Sequence, residues 1–494
     1  MEDTRLKIGI EGLDDILNGG LPSGHLYLLE GEPGTGKTTI ALQFLMEGAK
    51  TGESALYVTL SESKQELHSV AESHGWTLDG IEIFELLPEE NSLGIERQYT
   101  VFHPAEVELA DTTRAILDRV EHCQARRVVV DSLSELRMLA QEPIRYRRQL
   151  LALKQYFSGK RCTVVLLDDR TSTQDDLQLH SVVHGVISLE NLPREYGIKR
   201  RRMQITKLRA SAFREGYHDY SIKRGGVHIY PRLVAAEHNP GFSSELVTSQ
   251  VPELDALFGG GIHRGTSTLV TGPAGSGKST ICAKYAVEAA RRGEAVSVYL
   301  FDEGLRTYLS RLNSLGMDPE KHLQSGMLTV EQIDPAELSP GEFVARVRNS
   351  VSSRHSRVVV IDSLNGFMNS MPGERYLPIQ LHELISYMNQ QGVVTLLVFA
   401  QHGLLADQLM SVVDVSYLAD AVLLLRYFEA NAALKWAVSV VKNRSGNHEK
   451  SVRELIFNGG IKLGKPLTAF RGMISGTPET VGSHPGQTYP EDGN

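Results

Sequence analysis

Two glycine-rich stretches of this chain have the spacing of a loop that binds phosphate. "GEPGTGKTT" runs from Gly31 to Thr39, and "GPAGSGKST" runs from Gly272 to Thr280. In such a loop backbone N–H groups point at an anion, the lysine reaches the β and γ phosphates, and the next hydroxyl ligates Mg²⁺. Each stretch follows an apolar strand and opens a helix, which is the context that the P-loop requires. The predicted nucleotide-binding residues are Gly31, Gly34, Thr35, Gly36, Lys37, Thr38 and Thr39 in the first copy, and Gly272, Gly275, Ser276, Gly277, Lys278, Ser279 and Thr280 in the second.

An aspartate ends an apolar strand downstream of each P-loop. The strands "RRVVVDS" and "RVVVIDS" lead to Asp131 and Asp362. Hydrolysis of a nucleotide needs a carboxylate that positions the metal ion. A single aspartate at a strand end is commonly a turn or capping residue, but its recurrence in both halves favours the metal role. The predicted Mg²⁺ residues are therefore Thr38, Asp131, Ser279 and Asp362, with the aspartates acting through water.

Acidic residues also end the strand that follows each P-loop helix. The second half has the pair Asp302 and Glu303, whereas the first half has Ser61 and Glu62. A carboxylate within hydrogen-bond reach of a water molecule can polarise it for attack. We therefore take Glu62, Asp302 and Glu303 as general-base candidates and expect different turnover at two ATP sites; the alternative is that they are surface acids at strand ends.

The chain is an internal duplication. Lys37 and Lys278 are 241 residues apart (278 minus 37), and the same offset relates Glu62 to Glu303. Several matches at one spacing indicate that a whole domain is repeated. We predict a first domain over residues 1–236, a linker over 237–246 and a second domain over 247–466. Residues 467–494, rich in Pro, Gly and polar residues towards the end, are expected to form a disordered tail.

Both halves alternate strands with helices. "HLYLLEG" predicts a strand, "KTTIALQFLMEGAK" a helix, and "ALYVTL" and "KRCTVVLLDD" further strands. The continuously apolar "GVVTLLVFA" of the second half is typical of a strand buried on both faces. Such alternation predicts a mostly parallel sheet with helices on both sides. The fold class is α/β: two tandem RecA-like P-loop domains.

Composition narrows the classes of partner. The formal net charge is −9, so a general positive field that would hold nucleic acid or an anionic membrane is not expected. Three cysteines are too few for a disulfide framework and favour a reducing cytoplasm. The sequence shows no apolar run of membrane-spanning length and no signal peptide pattern. We expect a cytoplasmic protein that does not engage a membrane, and we consider nucleic acid an unfavoured partner.

Together these motifs resemble the KaiC family of RecA-like ATPases, the circadian clock ATPase and its bacterial relatives. The resemblance runs from about Leu6 to about residue 465. It implies a double-tiered homohexamer with ATP and Mg²⁺ between neighbouring subunits. A Lys-x-Arg element from the neighbour then contacts the nucleotide, as an arginine finger does. The resemblance assigns this element to Lys207, Leu208 and Arg209 and to Lys442, Asn443 and Arg444, and it adds Ser73, Gln401 and His448 as further nucleotide contacts.

The clock protein's second tier is an autokinase whose acceptors are adjacent Ser and Thr residues. The matching positions here are Ser416 and Tyr417, so a two-site phosphorylation cycle does not carry over. Autophosphorylation of Ser416 remains one reading, and an ordinary loop hydroxyl remains the other. The first tier departs from the family at Ser61, which stands where one carboxylate is expected. The resemblance further implies signalling or clock partner proteins, whose identity the sequence leaves open.

Two other functions stay open at this point. RecA-like cores also act as motors on DNA, and Lys199 to Arg202 form a basic cluster, although a charged hairpin is its commoner meaning. The second function is that of a scaffold that assembles when it binds nucleotide and hydrolyses little of it. His180 and His184 have helical metal-pair spacing, but they lack a third ligand, so a structural role is favoured.

Overall fold

The computed structural model describes residues 5–86, 104–158, 160, 162–170, 176–193, 197–238, 241–369, 376–401, 416–430, 432–473 and 479–480. The chain divides into two compact units, Met1–Arg232 and Leu233–Asn494. We call them domain 1 and domain 2 and treat each by itself. The division lies a few residues before the predicted end of the first domain.

Domain 1 contains eleven strands and seven helices among its described residues. The strands are β1 Arg5–Leu6, β2 Leu21–Pro22, β3 Leu26–Gly31, β4 Ala55–Thr59, β5 Ile81–Glu85, β6 Arg127–Asp131, β7 Thr163–Asp169, β8 Gly185–Leu192, β9 Arg200–Leu208, β10 His218–Lys223 and β11 Gly226–Tyr230. The helices are α1 Glu11–Ile16, α2 Lys37–Lys50, α3 Lys64–His74, α4 Pro104–Cys123, α5 Leu133–Ala140, α6 Pro143–Ser158 and α7 Asp176–Val182.

Domain 2 repeats this order with a few additions, again among the described residues. Its strands are β12 Leu246–Val247, β13 Ile262–His263, β14 Ser267–Gly272, β15 Val296–Leu300, β16 Leu328–Gln332, β17 Val358–Asp362, β18 Val394–Ala400, β19 Ala421–Ala430, β20 Ala433–Asn443, β21 Arg453–Phe457, β22 Ile461–Pro466, β23 Phe470–Arg471 and β24 Glu479–Thr480. Its helices are α8 Pro252–Leu257, α9 Lys278–Arg291, α10 Leu305–Ser314, α11 Pro319–Gln324, α12 Pro340–Ser352, α13 Leu364–Asn369 and α14 Leu377–Gln390, and a 3₁₀ turn spans Ala235–Glu237.

Each domain has one large sheet, and the two sheets have the same topology. Within the described residues the strand order is β11-β10-β9-β8-β3-β7-β6-β4-β5 in domain 1 and β22-β21-β20-β19-β14-β18-β17-β15-β16 in domain 2. The strands from β8 to β5 and from β19 to β16 run parallel, and the others are antiparallel. Two mostly parallel sheets confirm the predicted fold class.

Helices cover both faces of each sheet, and this explains the apolar central strands. In domain 1 one buried cluster joins the sheet to α1 and α2, and a second joins the opposite face to α4, α5 and α6. Domain 2 has the same two clusters, around α8 and α9 and around α12 and α14. A strand covered on both faces buries every side chain, so Val128–Val130 carries no polar alternation. Because parallel strands end at one edge, the residues that follow β3, β4, β6 and β7 meet there.

The segment after β22 contains short ordered structure. β23 pairs with β24 in antiparallel fashion. Phe470 of β23 packs edge-to-face on Phe428 with ring centroids 5.5 Å apart, and Met473 is buried in the same small cluster. The predicted tail 467–494 thus includes a described part up to residue 473, together with 479–480. Among the described helices, none combines the length and apolar character needed to cross a membrane.

Candidate nucleotide-binding sites

The first P-loop links the end of β3 to the start of α2. Gly34 and Gly36 have φ of 79° and 91°, in the left-handed region that favours glycine. α2 then begins at Lys37, so its unpaired N-terminal N–H groups face the loop. Tyr220 of β10 donates a hydrogen bond of 2.7 Å to the carbonyl of Thr35, which fixes the loop from outside. The geometry is that of an anion cradle.

The second P-loop repeats this geometry. Gly275 and Gly277 have φ of 74° and 93°, and α9 begins at Lys278. Tyr427 of β19 donates a hydrogen bond of 2.9 Å to the carbonyl of Ala274. A Cβ atom at Gly277 would lie 2.2 Å from Cζ of Phe457, so steric crowding as well as φ requires glycine. The remaining P-loop side chains Thr35, Thr39, Ser276 and Thr280 are buried.

The two P-loop lysines are buried but have different partners. Lys37 Nζ lies 2.6 Å from Asp169 Oδ1 and donates to the carbonyl of Gly31 over 2.7 Å. Lys278 Nζ donates to the carbonyl of Pro273 over 2.7 Å. Burial lowers the pKa of Lys278, while the nearby Asp362 carboxylate raises it. Each lysine is therefore held at the loop by backbone carbonyls, and only Lys37 has an ion pair within the described residues.

In domain 1 the strand-end aspartate contacts the P-loop hydroxyl. Asp131 is 6% exposed, and the nearby side chain of Thr38 lowers its pKa slightly. Tyr57 of β4 donates to Asp131 Oδ2 over 2.5 Å. Burial raises the pKa of Asp131, and the hydrogen bond from Tyr57 opposes that rise by stabilising the carboxylate. Thr38 and Asp131 thus meet at one point.

The same pair meets in domain 2 without the tyrosine. Burial raises the pKa of Asp362 to about 6, and the nearby Ser279 hydroxyl opposes that rise. Val298 stands where domain 1 has Tyr57, since β15 and β4 pair with β17 and β6 in matching register. Asp362 Oδ2 is buried and has no hydrogen-bond partner among the described residues. An orphaned carboxylate oxygen next to a serine hydroxyl fits the outer ligand of a hydrated Mg²⁺ ion. The peptide bonds Asp131–Ser132 and Asp362–Ser363 are both cis.

Glu62 lies just beyond β4 in the same site as Asp131. Thr59 fixes its backbone by donating to the Glu62 carbonyl over 2.6 Å and accepting from its N–H over 3.0 Å. Burial raises the pKa of Glu62, and the Asp131 carboxylate raises it further. Glu62 Oε2 is buried without a hydrogen-bond partner in the described part of the chain. A carboxyl group with a raised pKa and an unused acceptor atom suits a general base.

The acidic pair of domain 2 is held by other side chains. Ser363 donates a hydrogen bond to Asp302. Arg311 of α10 binds Glu303 through both ends of its guanidinium, with Nη2 2.5 Å from Oε2 and Nε 3.4 Å from Oε1. The same arginine donates to Thr280 Oγ1 over 2.8 Å. Arg311 therefore ties Glu303 to the P-loop, and Val70 occupies its place in domain 1 (311 minus 241).

Gln401 lies at the end of β18 beside the second P-loop. Its backbone N–H donates to the carbonyl of Gly272 over 3.0 Å. The side chain is 5% exposed, and neither amide atom has a hydrogen-bond partner among the described residues. Arg170 takes this place in domain 1 and lies 3.2 Å from Glu30. A buried amide with both atoms unused fits a contact to a polar ligand.

The two Lys-x-Arg elements lie at the opposite end of the strands from the P-loop of their own domain. Lys207 of β9 pairs with Val186, at the amino-terminal end of β8, whereas Gly31 pairs with Leu189. Lys207 Nζ donates to the carbonyls of His180 and Val183, over 2.9 Å for the latter. Arg209 donates to the carbonyl of Ser181 over 2.8 Å. Leu208 is buried and pairs with Gly185 of β8.

In domain 2 this end of the sheet also carries the proposed phosphate acceptor. Lys442 Nζ donates to the carbonyls of Ser416 and Ala419 over 2.7 and 2.6 Å. Ser416 is half-buried and Tyr417 is 54% exposed. Arg444 is exposed, and Asn443 accepts from Ser445 over 3.1 Å. These residues do not meet the P-loop of their own domain.

Ser73 and His448, two further predicted nucleotide contacts, are not among the hydrogen-bond partners of the P-loop lysines in the described residues. Ser73 is exposed near the end of α3, where its hydroxyl donates to the carbonyl of Val70 over 2.7 Å. The adjacent His74 contacts the carbonyl of Lys223 at the tip of the β10–β11 hairpin over 3.0 Å. His448 is half-buried after β20. The structure thus gathers the P-loop, Asp131 and Glu62, whereas among the described residues it shows no hydrogen bond from Ser73 or His448 to a P-loop residue.

Three site residues were absent from the sequence analysis. Tyr57, Asp169 and Arg311 contact Asp131, Lys37 and Glu303, respectively. Tyr57 and Arg311 have no motif spacing, so only the fold reveals them. Asp169 could have been found, because the acidic end of "KRCTVVLLDD" falls at the edge of the sheet where β3 ends.

The other polar groups named from sequence are bound within the domain. His180 Nε2 lies 2.8 Å from Glu30 Oε2, and His184 stacks on His25 with ring centroids 3.8 Å apart. From the basic cluster, Arg200 Nη2 lies 3.1 Å from Asp219 and Arg202 Nε 2.7 Å from Glu190. Within the described part of the chain, no cluster of three or more His, Cys, Asp or Glu residues suits a metal ion.

These features define a class of protein: a tandem RecA-like P-loop ATPase, with a phosphate loop, a strand-end aspartate and nearby acids in each domain. The model of the KaiC ATPase family matches residues 6–234 and 247–467. The chain therefore belongs to the KaiC family.

Curated relatives cover almost the whole chain at low identity. The "Circadian clock oscillator protein KaiC" of Acaryochloris marina is 26% identical over 498 residues, which span 97% of this chain and 92% of that protein. The protein of the same name from Synechococcus elongatus is 26% identical over 488 residues, with 97% and 92% covered. That of Parathermosynechococcus lividus is 27% identical over 493 residues, with 96% and 88% covered. The tandem arrangement is thus shared along the full length.

Proposed function

We propose that both domains bind Mg-ATP and hydrolyse it, with ATP held between neighbouring subunits of a cytoplasmic homohexamer. One observation supports this most directly. In each domain the hydroxyl residue that follows the P-loop lysine lies beside the strand-end aspartate and lowers its pKa, Thr38 that of Asp131 and Ser279 that of Asp362. A hydroxyl ligand and an outer carboxylate beside a phosphate loop are the parts that hold Mg²⁺ on a triphosphate.

Each residue then has a defined task. Lys37 and Lys278 hold the phosphates, and Mg²⁺, when bound, neutralises the charge that develops on them. Glu62 in domain 1 and Glu303 with Asp302 in domain 2 accept a proton from the attacking water. The unused acceptor Glu62 Oε2 supports this role. Gln401 adds an amide beside the γ-phosphate position of domain 2.

The Lys-x-Arg residues act across the subunit interface in this proposal. These residues lie where the parallel strands of the sheet begin, away from the P-loop of their own domain: Lys207, Arg209, Lys442 and Arg444. A cation in that position serves a neighbouring subunit's nucleotide, as a trans arginine does. The name of the relatives, circadian clock oscillator protein, suggests that this chain acts in clock-type or related signalling with protein partners.

We further propose that Ser416 accepts phosphate from ATP of the adjacent subunit. Ser416 lies next to Lys442, so an acceptor hydroxyl and a trans cation share one end of the sheet. In this proposal Tyr417 is a second acceptor of different reach. If ATP is turned over and neither residue carries phosphate, the activity is ATP hydrolysis alone.

The primary experiment separates the two domains. Lys37→Ala and Lys278→Ala should each abolish nucleotide binding in one domain, leaving about half of the bound ATP, and the double variant should bind none. Phosphate release, oligomer mass by light scattering and phosphosite mapping by mass spectrometry are followed with Mg-ATP. Equal nucleotide occupancy in wild type and double variant would refute the assignment, and ATP-dependent assembly with very slow release would favour the nucleotide-gated scaffold.

Subunit mixing tests the action in trans. With domain 2 silenced by Lys278→Ala, chains carrying Arg209→Ala and chains carrying Lys37→Ala should each lose domain 1 turnover. Mixed hexamers should regain part of it, because some interfaces pair an intact P-loop with an intact arginine. No recovery on mixing would contradict the interface role.

The structure gives less support to a DNA motor. Arg200 and Arg202 of the basic cluster are paired with carboxylates of their own domain. Such pairs reduce the charge that is available for a phosphate backbone. DNA binding that falls steeply with added salt would revive that alternative.

A further inference from the structure

Asp169 forms an ion pair with Lys37, the P-loop lysine of domain 1. Its Oδ1 atom lies 2.6 Å from Lys37 Nζ. The same ammonium also donates to the carbonyls of Gly31 and Glu32 over 2.7 and 3.2 Å. An ammonium group has three N–H donors. Three acceptors of the domain itself therefore match its full donor capacity, and one of them carries a negative charge.

Domain 2 lacks this arrangement in its described residues. The register places Asp169 beside Gly31 in domain 1 and Ala400 beside Gly272 in domain 2. Lys278 Nζ has the carbonyl of Pro273 as a hydrogen-bond acceptor at 2.7 Å and has no ion pair within 4.0 Å in that part of the chain. The two lysines are similarly buried, at 8% and 6% exposure. They differ in the residue at the end of the neighbouring strand, which is Asp169 on β7 and Ala400 on β18.

Two further carboxyl groups near Lys37 add to the effect of Asp169 on an approaching phosphate. Glu62 and Asp131 lie in the same site, and the pKa of each is raised by burial first and by the Asp169 carboxylate in addition. A γ-phosphate that approaches Lys37 is repelled by these carboxylates. It must also share the Lys37 ammonium with Asp169 or displace Asp169 from it. Asp169 is 31% exposed at its side chain, so once displaced it can be solvated.

We propose that Asp169 sets the nucleotide affinity of domain 1 by competing with the terminal phosphate of ATP for Lys37. This inference rests on the proposed function, since it takes the P-loop of domain 1 as a nucleotide site. It makes domain 1 the weaker of the two sites for the triphosphate, and Ala400 leaves domain 2 without the competitor.

The test measures binding of the non-hydrolysable analogue AMPPNP, with Mg²⁺, by isothermal titration calorimetry on the full chain. With domain 2 silenced by Lys278→Ala, Asp169→Asn should tighten AMPPNP binding by about threefold to tenfold, the range expected for a partly exposed ion pair. Asparagine keeps the shape and one acceptor oxygen but has no negative charge, and an NH2 donor replaces the second oxygen. ADP, which lacks the γ-phosphate, should gain less.

Two controls separate direct competition for Lys37 from the general effect of removing a negative charge near the loop. Glu32→Gln removes one negative charge from the same loop but keeps the carbonyl that Lys37 contacts, and its gain should be smaller than that of Asp169→Asn. In the reciprocal test, with domain 1 silenced by Lys37→Ala, Ala400→Asp should weaken AMPPNP binding by domain 2. This second domain keeps the proposal testable if Asp169→Asn fails to fold.

The outcomes differ for the site and for the residue. If the Lys278→Ala chain binds no more AMPPNP than the Lys37→Ala/Lys278→Ala chain, the nucleotide site of domain 1 is wrong and the role of Asp169 is wrong with it. If that chain binds AMPPNP and Asp169→Asn leaves the affinity unchanged, or if Glu32→Gln matches its gain, only the competition by Asp169 is overturned.

Discussion

The hydroxyl group of Tyr57 donates a 2.5 Å hydrogen bond to Asp131 Oδ2, and Val298 takes the corresponding place in domain 2. A hydrogen bond to a buried carboxylate favours its ionised form. The pKa of Asp362, which has no tyrosine donor among the described residues, is raised by burial to about 6. The two domains therefore hold the equivalent strand-end aspartate in different electrostatic settings.

Replacing Tyr57 with Phe should weaken Mg²⁺ use in domain 1. Loss of a hydrogen bond that orients a metal-positioning group typically costs about tenfold to a hundredfold in metal affinity or activity. The measurement is the Mg²⁺ concentration that half-saturates phosphate release in a Lys278→Ala background. Tyr299→Phe is the control, because it removes a buried tyrosine hydroxyl from the matching strand of domain 2; an equal shift there would count against the Asp131 contact.

Asp131→Asn and Asp362→Asn should each reduce phosphate release from their own domain by about a hundredfold or more. The amide keeps the size of the side chain but removes the charge that positions the metal ion. Release is measured separately in the Lys278→Ala and Lys37→Ala backgrounds. Turnover that survives both substitutions would show that neither aspartate serves the metal.

Arg311→Met should lower kcat of domain 2 by about tenfold and leave KM nearly unchanged. The substitution frees Glu303 from the guanidinium that ties it to Thr280, so the base loses its fixed position. Arg311→Lys should recover part of the rate. Val70→Met is the matched change in domain 1, where the structure shows no arginine at this place, and it should leave the turnover of domain 1 within about twofold.

Domain 1 should lose stability in acid because of His218. This side chain is 1% exposed; Nδ1 accepts from the N–H of Arg232 over 2.8 Å, and Nε2 lies 3.1 Å from the carbonyl of Arg214. Both nitrogens are used by the neutral ring, and burial lowers the pKa of His218 to about 4. Since the folded pKa is below the unfolded value of about 6.5, the stabilisation present above pH 6.5 is lost as pH falls towards 4, by about 3 kcal/mol.

The measurement is urea unfolding followed by Trp76 fluorescence in a Trp436→Phe chain, at pH values from 7 to 4. His218→Gln should flatten this pH dependence, whereas His68→Gln, at an exposed position on α3, should not. An unchanged slope in the His218 variant would place the acid sensitivity elsewhere.

Gly277→Ala should destabilise domain 2 by about 2 to 4 kcal/mol. The residue has φ of 93°, and the added Cβ would lie 2.2 Å from the ring of Phe457. Gly304→Ala is the control, since that glycine has φ of −68° and open space around it. Thermal unfolding of both variants tests this; equal melting temperatures would show that the ring simply moves aside.

The sequence by itself determined the duplication, the two P-loops, the strand-end aspartates and the α/β fold class. These features are local: positive φ at Gly36 and Gly277 requires glycine, and a strand buried on both faces requires an unbroken apolar run. The family followed from the same motifs, because their order and spacing are preserved along the chain.

Only the tertiary structure decided which side chains share a site. β3 lies between β7 and β8, and β4 lies beside β6, so Asp169 meets Lys37 and Tyr57 meets Asp131 although more than 70 residues separate each pair. The ion pair of Arg311 with Glu303 depends on how α10 packs, and no motif records it. The antiparallel turn of β9 placed Lys207 at the far end of the sheet. Strand order and helix packing, which depend on contacts distant in sequence, therefore set the differences between two otherwise repeated domains.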